Sequence, residues 1–598
     1  MAAAASAITA LLDFSDPLSA DAPRLRYAFA NPRMVLQAHS LDQVQGVLAA
    51  VQLHAAQGRW CVGYVSYEAA PAFDAALVVH ASTGPLAWFA VFENALPWPE
   101  ALGSHEVRVD WQALMPRAVF DSSMQTLHEA IAQGELYQVN LTTQMQGQLS
   151  HAAGVDAHQA ALSLFASLLR AQPNGYAALI DTGDSGQVLS VSPELFFDWQ
   201  APTILARPMK GTARRGDTPH EDEALAQGLR SSAKERSENV MIVDLLRNDI
   251  SRVAEPFSVK VPRLFHTQAL PTVWQMTSDV QATTRAGTTL VDVFSALFPC
   301  GSVTGAPKVQ AMQKIHQLEP HARGVYCGAL GVVQPGGRAT FNVPIRTVTL
   351  QGQRAHCGIG SGITADATAQ GEWQEWVYKQ AFVQRASQAF SLLETLALED
   401  GVLRHHAAHL ARMQAAADYF GVPWDASRVD AALEVLTQSH PSGLWRVRLL
   451  MDAQGQLQAQ VFALEPHPEF IRLELAKQPL LEAHSEFVRF KTTRRAHYDA
   501  FSPTEPGVFD TILWNSAGEI TEGTRGNLAF CIEGRWMTPP LTCGLLNGVG
   551  RAAALSAGRV VEGVVRLADL ERATEMAFIN SLRGWLPARK NTLKGVES

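Results

Sequence analysis

Four glutamates stand in two pairs, Glu235 with Glu238 and Glu372 with Glu375. On a helix, a spacing of three puts both carboxylates of a pair on one face. Two such faces set against each other would offer hard oxygen ligands to Mg2+, which takes few carboxylates, keeps several waters and holds anions. The spacing alone equally describes solvated helix charges. Lys491, between Phe490 and two threonines, could likewise carry covalent chemistry, but by itself says little.

These groups need elements to position them. The stretch from residue 221 to 246 has a helix-compatible pattern, as do residues 122–133, 373–389 and 406–420. Strand-like runs are expected at 60–67, 136–149 and 392–398, and the region up to about Leu114 reads as short strands and turns. Near Phe390 the order restarts with a strand, a turn at residues 399–401 and a helix, which marks a domain boundary. No Pro/Ser-rich linker accompanies it, so only a few residues join the two units.

A chain of 598 residues is too long for one hydrophobic core. With 47% hydrophobic and 18% charged residues it has the composition of a soluble globular protein. A net charge of -9 without long like-charge blocks gives no support for a nucleic-acid or membrane surface. The six cysteines are scattered without a Cys-x-x-Cys pair, which points to a reduced, cytoplasmic protein. The Ala-rich start has no basic residue before it and is short for a membrane span, so neither a secretory signal nor an anchor is expected.

Longer motifs decide between the readings of the glutamates. Glu238-Asn-Val-Met-Ile-Val-Asp-Leu-Leu-Arg-Asn-Asp249 resembles the magnesium helix of the chorismate-using enzymes, the group of anthranilate synthase and aminodeoxychorismate synthase component I. Further matches follow in that family's order: Gly134 to Thr142, Ser192 to Phe196, Gly301 to Lys308, Ile345 to Thr347 and Gly358 to Ile363. The resemblance covers roughly residues 10 to 389. It implies N-terminal synthase residues 1–114 and a chorismate-binding catalytic domain at 115–389, a two-layer α/β (α+β) fold on large antiparallel sheets. Chorismate carries two carboxylates. The resemblance implies Mg2+ held by Glu238 and Glu375, with Glu235 and Glu372 outside them, and Arg346 gripping a carboxylate in two places. Gly360 and Gly362 would let backbone N–H groups approach an anion, and Thr304 would supply a hydroxyl near the substrate.

Two positions select the reaction within the family. Lys210, in Arg207-Pro-Met-Lys-Gly-Thr212, stands where aminodeoxychorismate synthases have Lys and anthranilate synthases a small residue. Desolvation and neighbouring cations would free its amine as a nucleophile, and the resemblance implies that it attacks chorismate C2 with loss of the 4-hydroxyl before ammonia enters at C4. Gln138 stands where the isochorismate and salicylate synthases place a water-activating Lys; an amide is no general base, so an amino product is expected. Trp274 replaces the His of many relatives and can donate a hydrogen bond without transferring the proton, while Glu194 is another acid/base candidate. No glutaminase segment is visible, so ammonia would come from a separate glutamine amidotransferase subunit or from free ammonium.

The C-terminal part resembles a second family. Arg489-Phe-Lys-Thr-Thr-Arg494 is similar to the cofactor-lysine segment of class IV aminotransferases, and Ile520-Thr-Glu-Gly-Thr-Arg-Gly-Asn527 to their Thr-Glu-Gly motif. His409 to Met413, Thr538 to Leu541, Gly548 to Arg551 and Phe578 to Gly584 complete the order. Over residues 391–598 this implies a fold-type IV domain of two α/β subdomains that binds pyridoxal 5'-phosphate, commonly as a homodimer. Lys491 would carry the cofactor and move the proton, and Glu522 would keep the ring nitrogen protonated. Arg412 and the Val549 and Gly550 amides would hold the phosphate. Fusion to a maker of aminodeoxychorismate favours the lyase that releases pyruvate and leaves 4-aminobenzoate. A class IV enzyme of other specificity, or an inert module, stays open.

Overall fold

The computed structural model describes residues 8–590 except 20–21, 104, 113–114, 217–218, 270–272, 465–468 and 504. The start of the Ala-rich stretch (residues 1–7), the expected boundary at Leu114 and the last eight residues of the expected lyase domain lie outside these. Two compact units result, Met1–Ala389 and Phe390–Ser598. Among the described residues no helix is long and apolar enough to cross a membrane.

The first unit is built on two ten-stranded sheets whose pairs are antiparallel. Apolar residues alternate to both faces of each sheet. Leu12, Phe14 and Ile180 of one meet Val62, Trp88 and Val332 of the other in a shared core. The remaining apolar faces are covered by helices. Arg117–Ala132 and Ala157–Ala171 lie on one sheet, Leu41–Ala56 and Ala233–Ser251 on the other. The two sheet layers expected from the resemblance are therefore present, with a helical layer outside each.

Residues before 115 are woven into this unit. Strand Ile8–Phe14 pairs with Tyr176–Asp181 in one sheet, and Trp60–Val65 pairs with Ala329–Val333 in the other. The reading of that region as strands and turns missed Leu41–Ala56, whose helical face of Val44, Val47, Leu48 and Val51 is buried. The single helix expected over 221–246 is two, Pro219–Ser231 and Ala233–Ser251. Ser232 ends the first and caps the second, its side chain accepting from Glu235 N. The pattern at 373–389 is likewise divided into Ala369–Lys379 and Ala381–Ala386.

The second unit has two sheets, each with its own core. A four-stranded antiparallel sheet packs Leu396, Leu398, Val447 and Leu449 against Met413 and Ala417 of helix His406–Phe420. An eight-stranded mixed sheet carries the other core, with Ile471–Leu475 parallel to both Asp510–Trp514 and Gly584–Lys590.

Candidate active sites

In the first unit the helices Ala233–Ser251 and Ala369–Lys379 carry the two glutamate pairs. The carboxylates feel one another: burial raises the pKa of Glu235, Glu238 and Glu372, with the neighbouring glutamates adding to it. Burial also acts on Glu375, but the charge and hydrogen bond of Lys379, 2.6 Å away, hold it below its ordinary value. Glu372 Oε2 is buried without a partner. Among the described residues no three or more His, Cys, Asp or Glu close into a metal-ligand group. The donor set is nonetheless all hard oxygen, and with Glu372 Oε2 unpartnered it fits a Mg2+ ion.

Lys210, on strand Met209–Arg214, points into this field. Its ammonium acts electrostatically on Glu194, Glu235, Glu238 and Glu375. The expected neighbouring cations are therefore replaced by carboxylates, and among the described residues Lys210 has no hydrogen-bond or ion-pair partner. A Cβ built at Gly362 would lie 2.6 Å from Lys210 Nζ and 2.7 Å from Gln138 Nε2. The glycine thus makes room for two side chains to converge on strand Arg354–Ile363. Both amide atoms of Gln138 are buried without partners. At Gly360 a Cβ would come 2.5 Å from Leu141 O, so that glycine serves close strand pairing, while its own carbonyl accepts from Lys379 Nζ.

Glu194 sits in the tight turn after strand Gln187–Ser192. Burial raises its pKa to about 7, offset in part by a bond to Ser302 and the charge of Lys210, and its Oε1 has no partner. A buried carboxyl titrating near neutrality can give or take a proton. Arg346 takes a left-handed φ of 49°. Burial, with Arg385 nearby, lowers its pKa to about 10, and its guanidinium makes no hydrogen bond or ion pair among the described residues. A desolvated fork of this kind has strong affinity for a carboxylate.

Two expected substrate contacts are engaged elsewhere. The Thr304 hydroxyl donates to Cys300 O at 3.0 Å, which fixes its loop. The Trp274 indole N–H donates to Asp222 Oδ1 at 3.0 Å and its ring lies under Arg215, so its donor is not free for substrate. The sequence reading also passed over Arg323. This buried side chain donates to Glu319, to Val303 O and to Asn140 O, tying the Thr304 loop to the strand that carries Gln138. The four-residue spacing from Glu319 was its only signal.

In the second unit a cavity of about 330 Å³ is lined by Lys491, Glu522, Arg412, Tyr498, Val549 and Gly550 among others. All five residues expected around the cofactor are thus brought together. Loss of hydration, then the charge of Arg412, lowers the Lys491 pKa to about 8. Burial raises Glu522 to about 7 against three donors: Tyr498 Oη at 2.6 Å, Leu546 N at 3.2 Å and Asn527 Nδ2 at 3.4 Å. Helix Val549–Ser556 begins at the cavity wall. At Gly550 a Cβ would meet the Asn580 backbone at 2.7 Å, so a side chain has no room here. Arg412 gives two bonds to Glu394 and one to Asn547 O at 3.1 Å. Glu394 and Tyr498 were not assigned roles from sequence; an acidic residue inside the apolar run at 392–398 was the available signal for the first. An amine poised to lose its proton, a held carboxylate, a cation and a helix start together fit pyridoxal phosphate.

Comparison with known proteins finds a different family along each unit. Residues 97–385 match the chorismate binding enzymes, and residues 391–590 match the class IV amino-transferases. Over 265 residues the chain is 40% identical to aminodeoxychorismate synthase component 1 of Salmonella typhimurium, covering 44% of this chain and 56% of that protein. It is 35% identical over 269 residues to anthranilate synthase component 1 of Streptomyces coelicolor, covering 45% and 51%. The chain thus spans about half the length of these curated relatives. A protein solved as a candidate 2,3-dihydroxybenzoate-specific isochorismate synthase from Bacillus anthracis shares the fold with a TM-score of 0.52 at 18% identity, over 64% of this chain and 96% of that one.

Proposed function

We propose that this chain, a chorismate binding enzyme over residues 97–385 joined to a class IV amino-transferase domain over residues 391–590, makes 4-aminobenzoate from chorismate in two steps. The observation that carries the first step is Lys210, set among carboxylates and converging with Gln138 over Gly362. Lys210 passes its proton to Glu194, on which its charge acts, the free amine adds at C2 of the substrate ring, and the 4-hydroxyl leaves as water with that proton. Ammonia then bonds to C4, the C2–N bond breaks and the lysine is restored. Arg346 binds and orients one carboxylate. Mg2+ held between Glu238 and Glu375, with Glu235 and Glu372 outside, would neutralise the ring carboxylate. Gln138 has no basic atom with which to activate water, which keeps ammonia as the nucleophile. A separate glutamine amidotransferase supplies it, or free ammonium does.

In the second step, pyridoxal phosphate would supply an electron sink for the C4–H bond. Lys491 Nζ takes the C4 proton. The C3–O bond then breaks, the ring becomes aromatic, and the departing enolpyruvate takes a proton at its methylene carbon, matching the one removed from C4, to become pyruvate. Glu522, held by Tyr498 and Asn527, orients the ring-nitrogen end, and Arg412 with the 548–550 turn holds the phosphate end.

Incubation of the purified protein with chorismate, ammonium, Mg2+ and pyridoxal phosphate tests the whole reading. The expected products are 4-aminobenzoate and pyruvate in equal amounts. Anthranilate would overturn the first step, since an anthranilate synthase is among the chain's relatives. Aminodeoxychorismate without 4-aminobenzoate would remove the second step alone.

A further inference from the structure

We propose that Glu394 is a positioning residue that sets how tightly the C-terminal cavity holds a phosphate-bearing cofactor, acting through Arg412. The inference rests on the reading of that cavity as a pyridoxal-phosphate site.

Glu394 lies on strand Leu392–Glu399, where Leu392, Leu396 and Leu398 point into the core under helix His406–Phe420. Alternation gives Glu394 the same face. A carboxylate there is costly unless it is fully partnered. Its side chain is 1% exposed and faces two residues one helical turn apart, His409 and Arg412. His409 Nδ1 lies 2.7 Å from Oε2, Arg412 Nε donates to Oε1 at 2.8 Å, and Arg412 Nη2 donates to Oε2 at 2.7 Å. Burial works against the charge, but Arg412 and these bonds hold the carboxyl down at about 2. The clamp of Arg412 and His409 thus favours its ionised form.

The consequence concerns the donors that Arg412 has left. A guanidinium carries five N–H groups in a fixed fork. Glu394 takes one from Nε and one from Nη2, and Asn547 O takes one from Nη1. One N–H remains on each terminal nitrogen. Without Glu394, a long arginine side chain at the cavity wall would spread over many rotamers and present this pair only part of the time. With it, the charge of Arg412 is balanced, so an anion is gripped by geometry rather than by a bare cation. Glu394 touches neither cofactor nor substrate.

The test compares two probes that differ only in the phosphate, pyridoxal phosphate and pyridoxal, titrated into cofactor-stripped full-length protein and read by absorbance. Glu394→Gln keeps the shape and one acceptor but loses the bidentate clamp. Pyridoxal phosphate should bind about tenfold more weakly, on the scale of one charge-assisted hydrogen bond, while pyridoxal changes less than about twofold. In an Arg412→Lys background the same substitution should add nothing, because the route through Arg412 is already cut. Equal weakening of both probes would show a scaffold role and overturn the proposal, as would no change in either. Glu394→Asp, which keeps the charge, supplies the comparison if the Gln variant does not fold, and should show the same selectivity for the phosphate probe. A wild-type protein that binds neither probe would remove the cofactor reading itself, and this inference with it.

Discussion

The two sites hold their charges differently. In the N-terminal unit Lys210, Arg346 and Gln138 lack hydrogen-bond partners among the described residues, and Glu194 Oε1 and Glu372 Oε2 are buried orphans. In the C-terminal unit Glu522 receives three donors, and Arg412 is tied down by Glu394 and Asn547. Buried unpaired groups cost about 1–3 kcal/mol each, so Gln138, Glu194 and Glu372 store a penalty that, in the proposed function, a dianionic substrate and a divalent ion would relieve. In the second, Glu522 and Arg412 are held in advance for the proposed resident group, while His409 Nε2 beside Glu394 is a buried orphan. The first site should therefore fail by losing substrate affinity and chemistry, the second by losing its cofactor.

The largest effect expected comes from Lys491→Ala, which should stop pyruvate release completely and remove the cofactor's protein-bound absorbance. Aminodeoxychorismate should then accumulate at the wild-type rate. A fall in that rate would show that the sites are not independent. Next is Lys210→Ala, which should slow aminodeoxychorismate formation by roughly 10³-fold or more, as loss of a nucleophile does. Lyase activity on supplied aminodeoxychorismate should stay intact, and an undiminished synthase rate would remove Lys210 from its role.

Arg346→Gln sharpens the contrast at the level of binding. Losing a charge-assisted fork should raise KM for chorismate about 10–100-fold, with a smaller loss in kcat. A fall in kcat at constant KM would place Arg346 on the reacting end instead. Tyr498→Phe is the matching change in the other site. It removes the 2.6 Å donor to Glu522, and the cofactor should bind about tenfold more weakly by equilibrium titration. Unchanged affinity would mean that Asn527 and Leu546 N suffice.

How much of this was legible in sequence follows the same contrast. Motif order named residues that the structure brings together in each unit, and the two compact units meet at Phe390. Helix His406–Phe420 was readable from its periodicity, with its termini at the expected residues. Helix Leu41–Ala56 was not, because its neighbours are strand-like and its cap makes no side-chain bond to mark a start. At Ser232 a capping side chain outweighed an unbroken helical pattern. Trp274 and Thr304 were placed by alignment to a motif, but hydrogen-bond partners far along the chain decided where their donors point. Glu394 and Arg323 act through contacts across elements, which spacing on one element does not encode.

The smallest effect expected is a shift in pH dependence. An ordinary lysine is protonated up to 10.5, but burial and the charge of Arg412 bring Lys491 to about 8. Only the neutral amine attacks an aldehyde. Capture of pyridoxal by cofactor-stripped protein should therefore accelerate about tenfold per pH unit below 8 and level off above it. Because pyridoxal lacks the phosphate, the profile reports the amine and not the phosphate clamp. The Glu394 carboxylate favours the ammonium form, so Glu394→Gln should move the break below 8 by a fraction of a unit. A rate that keeps rising towards pH 10.5 would show that Lys491 is solvated in the cofactor-stripped protein, and the contrast between an open first site and a preorganised second would lose its central support.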